Sequence, residues 1–379
     1  MIYLDNHATT QLDPRVLKAM MPYLKERYGN ASSRTHSLGL DAAEALERAR
    51  VSAAKLIGAE PREVLFTSGA TEANNLALKG AAYANRRRGD HLISVVTEHK
   101  SVLDPLKRLS QEGFRVTLLP VDREGFVDLR DLEKAVTDRT ILISVMLANN
   151  EIGTIQPVSE VGRIAAKKDI LFHCDAVAAA GKVTIDVEAM GVDLLSISAH
   201  KMNGPKGTGL LYIRKKGKDV KIWPLLDGGG QEAGLRAGTV NVPGVVAFGA
   251  ACEISRKELK AEARRLETLR DTLKRGLLQG IPGVRVNGSL ERRLPHNLHV
   301  SIPGIDAAGL MKSLRGVALS SGSACLSTSP TPSHVLGAIG LTPEEARGSL
   351  RFGLGRFNTP KDVRVAVSKV AVMAKTMIK

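Results

Sequence analysis

Seven short apolar runs rich in β-branched residues recur between residues 64 and 213, and this recurrence constrains the fold more than any other feature. They are Val64–Thr67, His91–Thr97, Phe114–Val121, Thr140–Leu147, Asp169–His173, Asp193–Ser198 and Gly209–Ile213. Several show little polar alternation, the pattern of strands buried on both faces. Helical patterns accompany them: Leu38–Ile57, closed by Gly58, then Thr71–Asn85, with more after Leu103, Leu129 and Val158. Strand–helix alternation predicts an α/β architecture with a mostly parallel sheet flanked by helices. A long helical pattern follows at Glu253–Gln279, with Leu259, Leu266 and Leu273 on one stripe and Gly280, Pro282 and Gly283 as its stop. Beyond it, short strands (Asn297–Ile302, Ser349–Leu354) mix with helices. A domain change is therefore expected near Ala251, with a large domain over 13–252. Residues 1–12 and 253–379 would form a smaller α+β domain.

The bulk properties narrow the class. A chain of 379 residues can bury two cores. No apolar run approaches a membrane span. The opening MIYLDNHATT lacks the basic head and apolar stretch of a signal peptide. Three cysteines, Cys174, Cys252 and Cys325, an odd number, fit reduced thiols, so a cytoplasmic location is expected. No two of them lie close in sequence, and no metal site is expected. The formal charge of +15 would draw nucleic acid or an acidic partner if it were concentrated. Apart from Arg86–Arg88 and Lys215–Lys218 it is scattered, which reads as a solvated surface; direct nucleic-acid binding is not expected.

Ligands on open parallel sheets bind beyond the carboxyl ends of the strands, and five such ends carry polar residues here. They are Ser68-Gly69-Ala70-Thr71, Glu98-His99, Asn149-Asn150-Glu151, Cys174-Asp175 and His200-Lys201. Their convergence on one crevice says more than any one of them. Ser68–Thr71 is either an ordinary helix cap or a phosphate cradle. Asp175 is either a cap or a buried carboxylate holding a cationic ring nitrogen. His99 is either a core histidine or a ring that stacks on a flat ligand and moves protons. Lys201 follows an apolar strand, where burial would make its amine a Schiff-base nucleophile; Lys100, Lys182 and Lys206 read as solvated competitors. Gly204–Gly209 lacks the spacing of a nucleotide-binding loop and precedes a strand. Cys325 sits in the small, polar stretch Ser320–Pro330, unlike a structural cysteine, whereas Cys174 and Cys252 sit in apolar sequence and read as core.

Several segments together resemble the NifS-like cysteine desulfurases, class V of the fold-type I enzymes that use pyridoxal 5'-phosphate. They are YLDNHATT, YGNASSRTHSLG, FTSGATEANNLAL, TEHKSVLDP, NNEIGTIQP, SAHKMNGPKGTGLLY, GGGQEAGLRAGT, SSGSACLSTSPTPSHVL and SLRFGLGRF, spread over essentially the whole chain. The SSGSAC stretch resembles the group with a long catalytic-cysteine loop. The resemblance implies that Lys201 holds the cofactor, that Asp175 pairs with its ring nitrogen, and that His99 stacks on the ring and acts as acid and base. It assigns the phosphate to Ala70, Thr71, Ser198 and His200, with Thr239 reaching the phosphate of a neighbouring subunit in a homodimer. Asn150 and Arg351 would bind the substrate carboxylate, and Asn150 the cofactor's phenolic oxygen. Cys325 would be the nucleophile that takes sulfur from L-cysteine, leaving alanine and a persulfide for an acceptor in iron–sulfur scaffold assembly, tRNA thiolation or DNA sulfur modification. Lys201 would remove the α-proton and His99 would help deprotonate the incoming thiol. Two positions depart from the family pattern: Ala178 stands where a glutamine usually bonds the phenolic oxygen, and Ala233 where an arginine is usual. Other reactions of the same fold, a class V aminotransferase or a selenocysteine lyase, are the alternatives, since fold does not decide chemistry.

Overall fold

The computed structural model describes residues 1–218, 220–321 and 333–378. After a two-residue strand β1 (Ile2–Tyr3) come seven strands: β2 (Val64–Thr67), β3 (His91–Val95), β4 (Arg115–Leu119), β5 (Thr140–Ser144), β6 (Leu171–Asp175), β7 (Leu194–Ser198) and β8 (Gly209–Ile213). They form one sheet in the order β2-β8-β7-β6-β5-β3-β4, in which β8 alone runs antiparallel to its neighbours. Every residue of β2, β3 and β5 to β8 is buried, while β4, at the edge, exposes Arg115 and Leu118 and buries only Leu119 fully. All seven expected strands are present, and the sheet is mostly parallel as expected.

Polar side chains inside this sheet satisfy one another across strands. His173 on β6 bonds Ser144 on β5 through Nδ1 (2.9 Å) and Ser196 on β7 through Nε2 (3.1 Å). Such pairing is what lets a buried strand carry a polar residue.

The second core lies among β9 (Arg285–Val286), β10 (Asn297–Ser301), β11 (Val317–Ala318) and β12 (Ser349–Gly353). β10 pairs antiparallel with both β9 and β12, and β1 pairs with β11. Leu4 and the Leu266–Leu277 stripe join this core. The helix expected at Glu253–Gln279 begins earlier, at Val242, and runs 39 residues to Gly280. Asn241 caps it by accepting from the Gly244 N–H, and Pro243 stands in its first turn, two start signals that the sequence reading passed over. No chain break marks Ala251. Instead Val245, Phe248 and Cys252 pack in the first core, and Leu266, Leu269 and Leu273 in the second. We propose that these cores correspond to the units 13–252 and 1–12 with 253–379, with this helix running through both.

Burial pushes the His173 pKa down to about 3 from 6.5. Below pH 6.5 the unfolded chain therefore takes up a proton that the folded chain refuses; this stabilisation is complete above pH 6.5 and is lost between pH 6.5 and 3. Lowering the pH from 7 to 5.5 is expected to cost about 1 kcal/mol through His173. In urea unfolding, His173→Asn should show a correspondingly shallower pH dependence; an unchanged slope would contradict the assignment.

Candidate active site

Because β2, β3, β5, β6 and β7 run in one direction, their carboxyl ends share one edge of the sheet. A cavity of about 600 Å³ opens there, lined by Ala70, Thr71, His99, Asn150, Asp175, Ser198, His200, Lys201 and Arg351, among others. Nine of the eleven residues singled out by sequence thus meet in one place. Thr239 is exposed and is not among the lining residues. Cys325 lies outside the described residues.

One corner is built from backbone. Among the described residues no side chain caps the helix that starts at Ala70, so the amides of its first turn are open to an anion. Gly69 before it has φ 152° and no atom within 4 Å of where a Cβ would stand, while a Cβ at Gly209 would come within 2.7 Å of Gly69 Cα. Glycine at both positions therefore keeps this turn tight and open. Glu72 accepts from Ser68 N–H (2.7 Å) and pairs with Arg236 (2.9 Å). Burial alone would raise its pKa, but these two partners hold it below the ordinary value. Ser198 ends β7, and His200 Nδ1 lies 3.1 Å from Thr9 Oγ1. Burial, then Lys201 and Lys206, lower the His200 pKa to about 4, so it stays neutral.

At the centre, Asp175 is 5% exposed at the tip of β6. Its oxygens accept from Asn74 Nδ2 (2.8 Å) and Val177 N–H (2.9 Å). Lys201 enters through a short helical turn after β7 and donates to the carbonyls of His7 and Ala8, the latter at 2.9 Å. Glu98 sits beneath with Oε1 on Met146 N–H; burial, then the Asp175 charge, push its pKa well up. An anion cradle, a buried carboxylate and an amine around one hollow fit the phosphate, ring nitrogen and aldehyde of pyridoxal 5'-phosphate.

The second core supplies the far wall. Arg351, in the middle of β12 and 1% exposed, donates to Asp5 Oδ1 and to the Asn150 carbonyl, each at 3.1 Å. His7 and His296 stack at 4.3 Å, and Asn297 Nδ2 lies 3.0 Å from His7 Nε2. Sequence reasoning singled out neither histidine, nor Asn74 and Ser101. His7, Asn74 and Ser101 at least stand inside the segments quoted above, whereas His296 stands in none of them. It also misjudged Lys182, which is buried, 5% exposed, with a pKa lowered to about 8 chiefly by burial. Lys100 and Lys206 are exposed as expected, and Cys174 and Cys252 are buried.

The aminotransferase class-V model matches residues 2–365, so the chain belongs to that family. A "Cysteine desulfurase IscS" of Anaeromyxobacter dehalogenans (strain 2CP-C) is 52% identical over 366 residues, 97% of this chain and 90% of that protein. A Homo sapiens "Cysteine desulfurase" is 49% identical over 368 residues, 97% and 80% of the two chains. A solved structure described as "NIFS-LIKE PROTEIN" has a TM-score of 0.92 at 42% identity, covering 99% of both chains. Another, "SspA in complex with cysteine", has a TM-score of 0.84 at 36% identity, covering 95% of this chain and 100% of that one. Within its family the chain belongs to the cysteine desulfurases.

Removing the Asp5 carboxylate would leave the enclosed Arg351 charge without its ion-pair partner. Asp5→Ala is expected to lower stability by about 3 kcal/mol in denaturant unfolding. A loss under about 0.5 kcal/mol, the range of ordinary surface changes, would show that the pair matters little.

Proposed function

We propose that the chain converts L-cysteine to L-alanine and moves the sulfur to Cys325, from which an acceptor takes it. The observation that carries this reading is the gathering of Lys201, Asp175, His99 and the open helix start around one cavity. Pyridoxal 5'-phosphate, when bound, supplies an electron sink for the substrate's α-carbon. Ala70, Thr71, Ser198 and His200 would hold its phosphate, and Asp175 would keep its ring nitrogen protonated. Lys201 would bind it and then move the proton at the α-carbon. Asn150 and Arg351 would orient the substrate carboxylate, where a guanidinium gives a two-point contact.

The sulfur step balances as L-cysteine plus the Cys325 thiol giving L-alanine plus the Cys325 persulfide. The Cys325 thiolate attacks the substrate sulfur, the carbon–sulfur bond breaks, and that carbon takes a proton. The described residues on either side of the 322–332 segment are tied close to the cavity lining. Ser320 bonds Asp5 Oδ1 (3.0 Å) and its backbone pairs with Arg351. Ser333 bonds Glu151 Oε2 (2.6 Å), beside Asn150.

No helix among the described residues is long and apolar enough to cross a membrane. We place the activity in the reducing cytoplasm, in a homodimer whose Thr239 serves the second subunit's phosphate site. The acceptor would be an iron–sulfur scaffold or a thiolation enzyme.

Cys325→Ala tests the reading. The variant should keep the cofactor's absorbance and its response to L-cysteine, yet lose persulfide and sulfide production at least a hundredfold. Full alanine and sulfide output from the variant would refute it, and retained amino-group transfer would indicate an aminotransferase. The departure at Ala178 gives a second test. Restoring an amide donor with Ala178→Gln should move the midpoint of the absorbance–pH titration by about one unit, the size of a charge-assisted hydrogen bond. Superimposable curves would show that residue 178 does not touch the cofactor.

A further inference from the structure

The two ring nitrogens of His99 stand in different settings. Nδ1 caps the helix Lys100–Gln111, accepting the Ser101 backbone N–H at 3.1 Å. A backbone N–H can only donate, so Nδ1 must present its lone pair. Nδ1 also lies 2.8 Å from Ser101 Oγ, and the direction of that bond follows from Asn74. Asn74 Nδ2 lies 2.8 Å from Asp175 Oδ2 and 2.8 Å from Ser101 Oγ. A carboxylate accepts, so the amide turns its nitrogen toward Asp175 and its second proton toward Ser101. Asn74 Oδ1 is left enclosed without a partner among the described residues, which shows how strongly the carboxylate sets this orientation. Having accepted from Asn74, the Ser101 hydroxyl spends its own proton on His99 Nδ1. Donation therefore runs one way from Asn74 through Ser101 to His99, anchored at Asp175.

Among the described residues His99 Nε2 makes no hydrogen bond, and the ring lines the cavity. Burial lowers the His99 pKa; Asp175 opposes this, and Lys201 and His334 add to it, with Asp104 opposing weakly. The positive end of the helix also disfavours an imidazolium.

We infer that Asn74 and Ser101 are positioning residues that fix His99 as its neutral Nε2–H tautomer, so that His99 offers a hydrogen bond to the substrate and does not take the thiol proton at Nε2. This replaces the expectation that His99 deprotonates the incoming thiol. An Nε2–H group stabilises an anionic sulfur or oxygen at the ring, as neutral histidines at helix starts do elsewhere. The inference rests on the proposed function only for what occupies the cavity; the tautomer is a property of the protein.

The test uses the purified enzyme labelled with ¹⁵N-histidine. Two-bond ¹H–¹⁵N spectra near pH 7 are recorded as isolated and after cofactor removal, with His99 assigned by the signals lost in His99→Gln. An unprotonated Nδ1 and a protonated Nε2 are expected in both states. A protonated Nδ1, or an imidazolium at pH 7, would overturn the inference. In Ser101→Ala, which keeps the backbone donor but loses the hydroxyl, the His99 titration should rise by roughly one pH unit. An unmoved titration would show that Ser101 merely packs there. The spectra report on the tautomer alone, whereas alanine and sulfide assays report on the desulfurase reading, so failure of one is distinguishable from failure of the other.

Discussion

A carboxylate shut away at the end of a central strand governs the site. Asp175 stands between β5 and β7, in the most covered part of the sheet, where an uncompensated negative charge is costly. Two N–H donors, from Asn74 and Val177, reduce that cost without neutralising the charge. The hollow above it therefore favours a cationic ring atom. The open helix start at Ala70 favours an anion, and Lys201 contributes an amine. The three demands are met by one flat, phosphorylated, nitrogen-containing aldehyde.

The same edge needs the second core to be complete. Arg351 reaches the cavity from β12, and its charge is met by Asp5 from the chain's opening segment. A further ion network joins distant parts of the sequence: Asp13 with Arg15 and Arg356, and Glu258 with both arginines. Asp13 is held well below the usual carboxylate range by Arg15 first, then Arg356. These contacts tie the chain's start and the segment just past β12 to the helix Val242–Gly280, which enters both cores.

Much of this was legible in the residues themselves. Buried parallel strands have short, β-branched, unalternating sequences, and so the seven strands could be read directly. Polar residues just past their ends pointed to one edge, and nine of the eleven named positions line it. What stayed hidden depends on contacts between positions far apart in sequence. Asn74 meets Asp175 across 101 residues, and His7 meets Asn297 across 290. Lys182 follows a glycine turn that looks solvated, yet the fold closes over it. The start of the long helix was missed because a change of texture outweighed the Asn241 and Pro243 signals.

The proposed chemistry depends on Lys201 being the lysine that binds the cofactor. Borohydride reduction of the purified enzyme, followed by peptide mass mapping, tests this directly. The cofactor mass is expected on the peptide containing Lys201, and the adduct should be lost in Lys201→Ala. An adduct on Lys182 or Lys206, or none on any lysine, would contradict it.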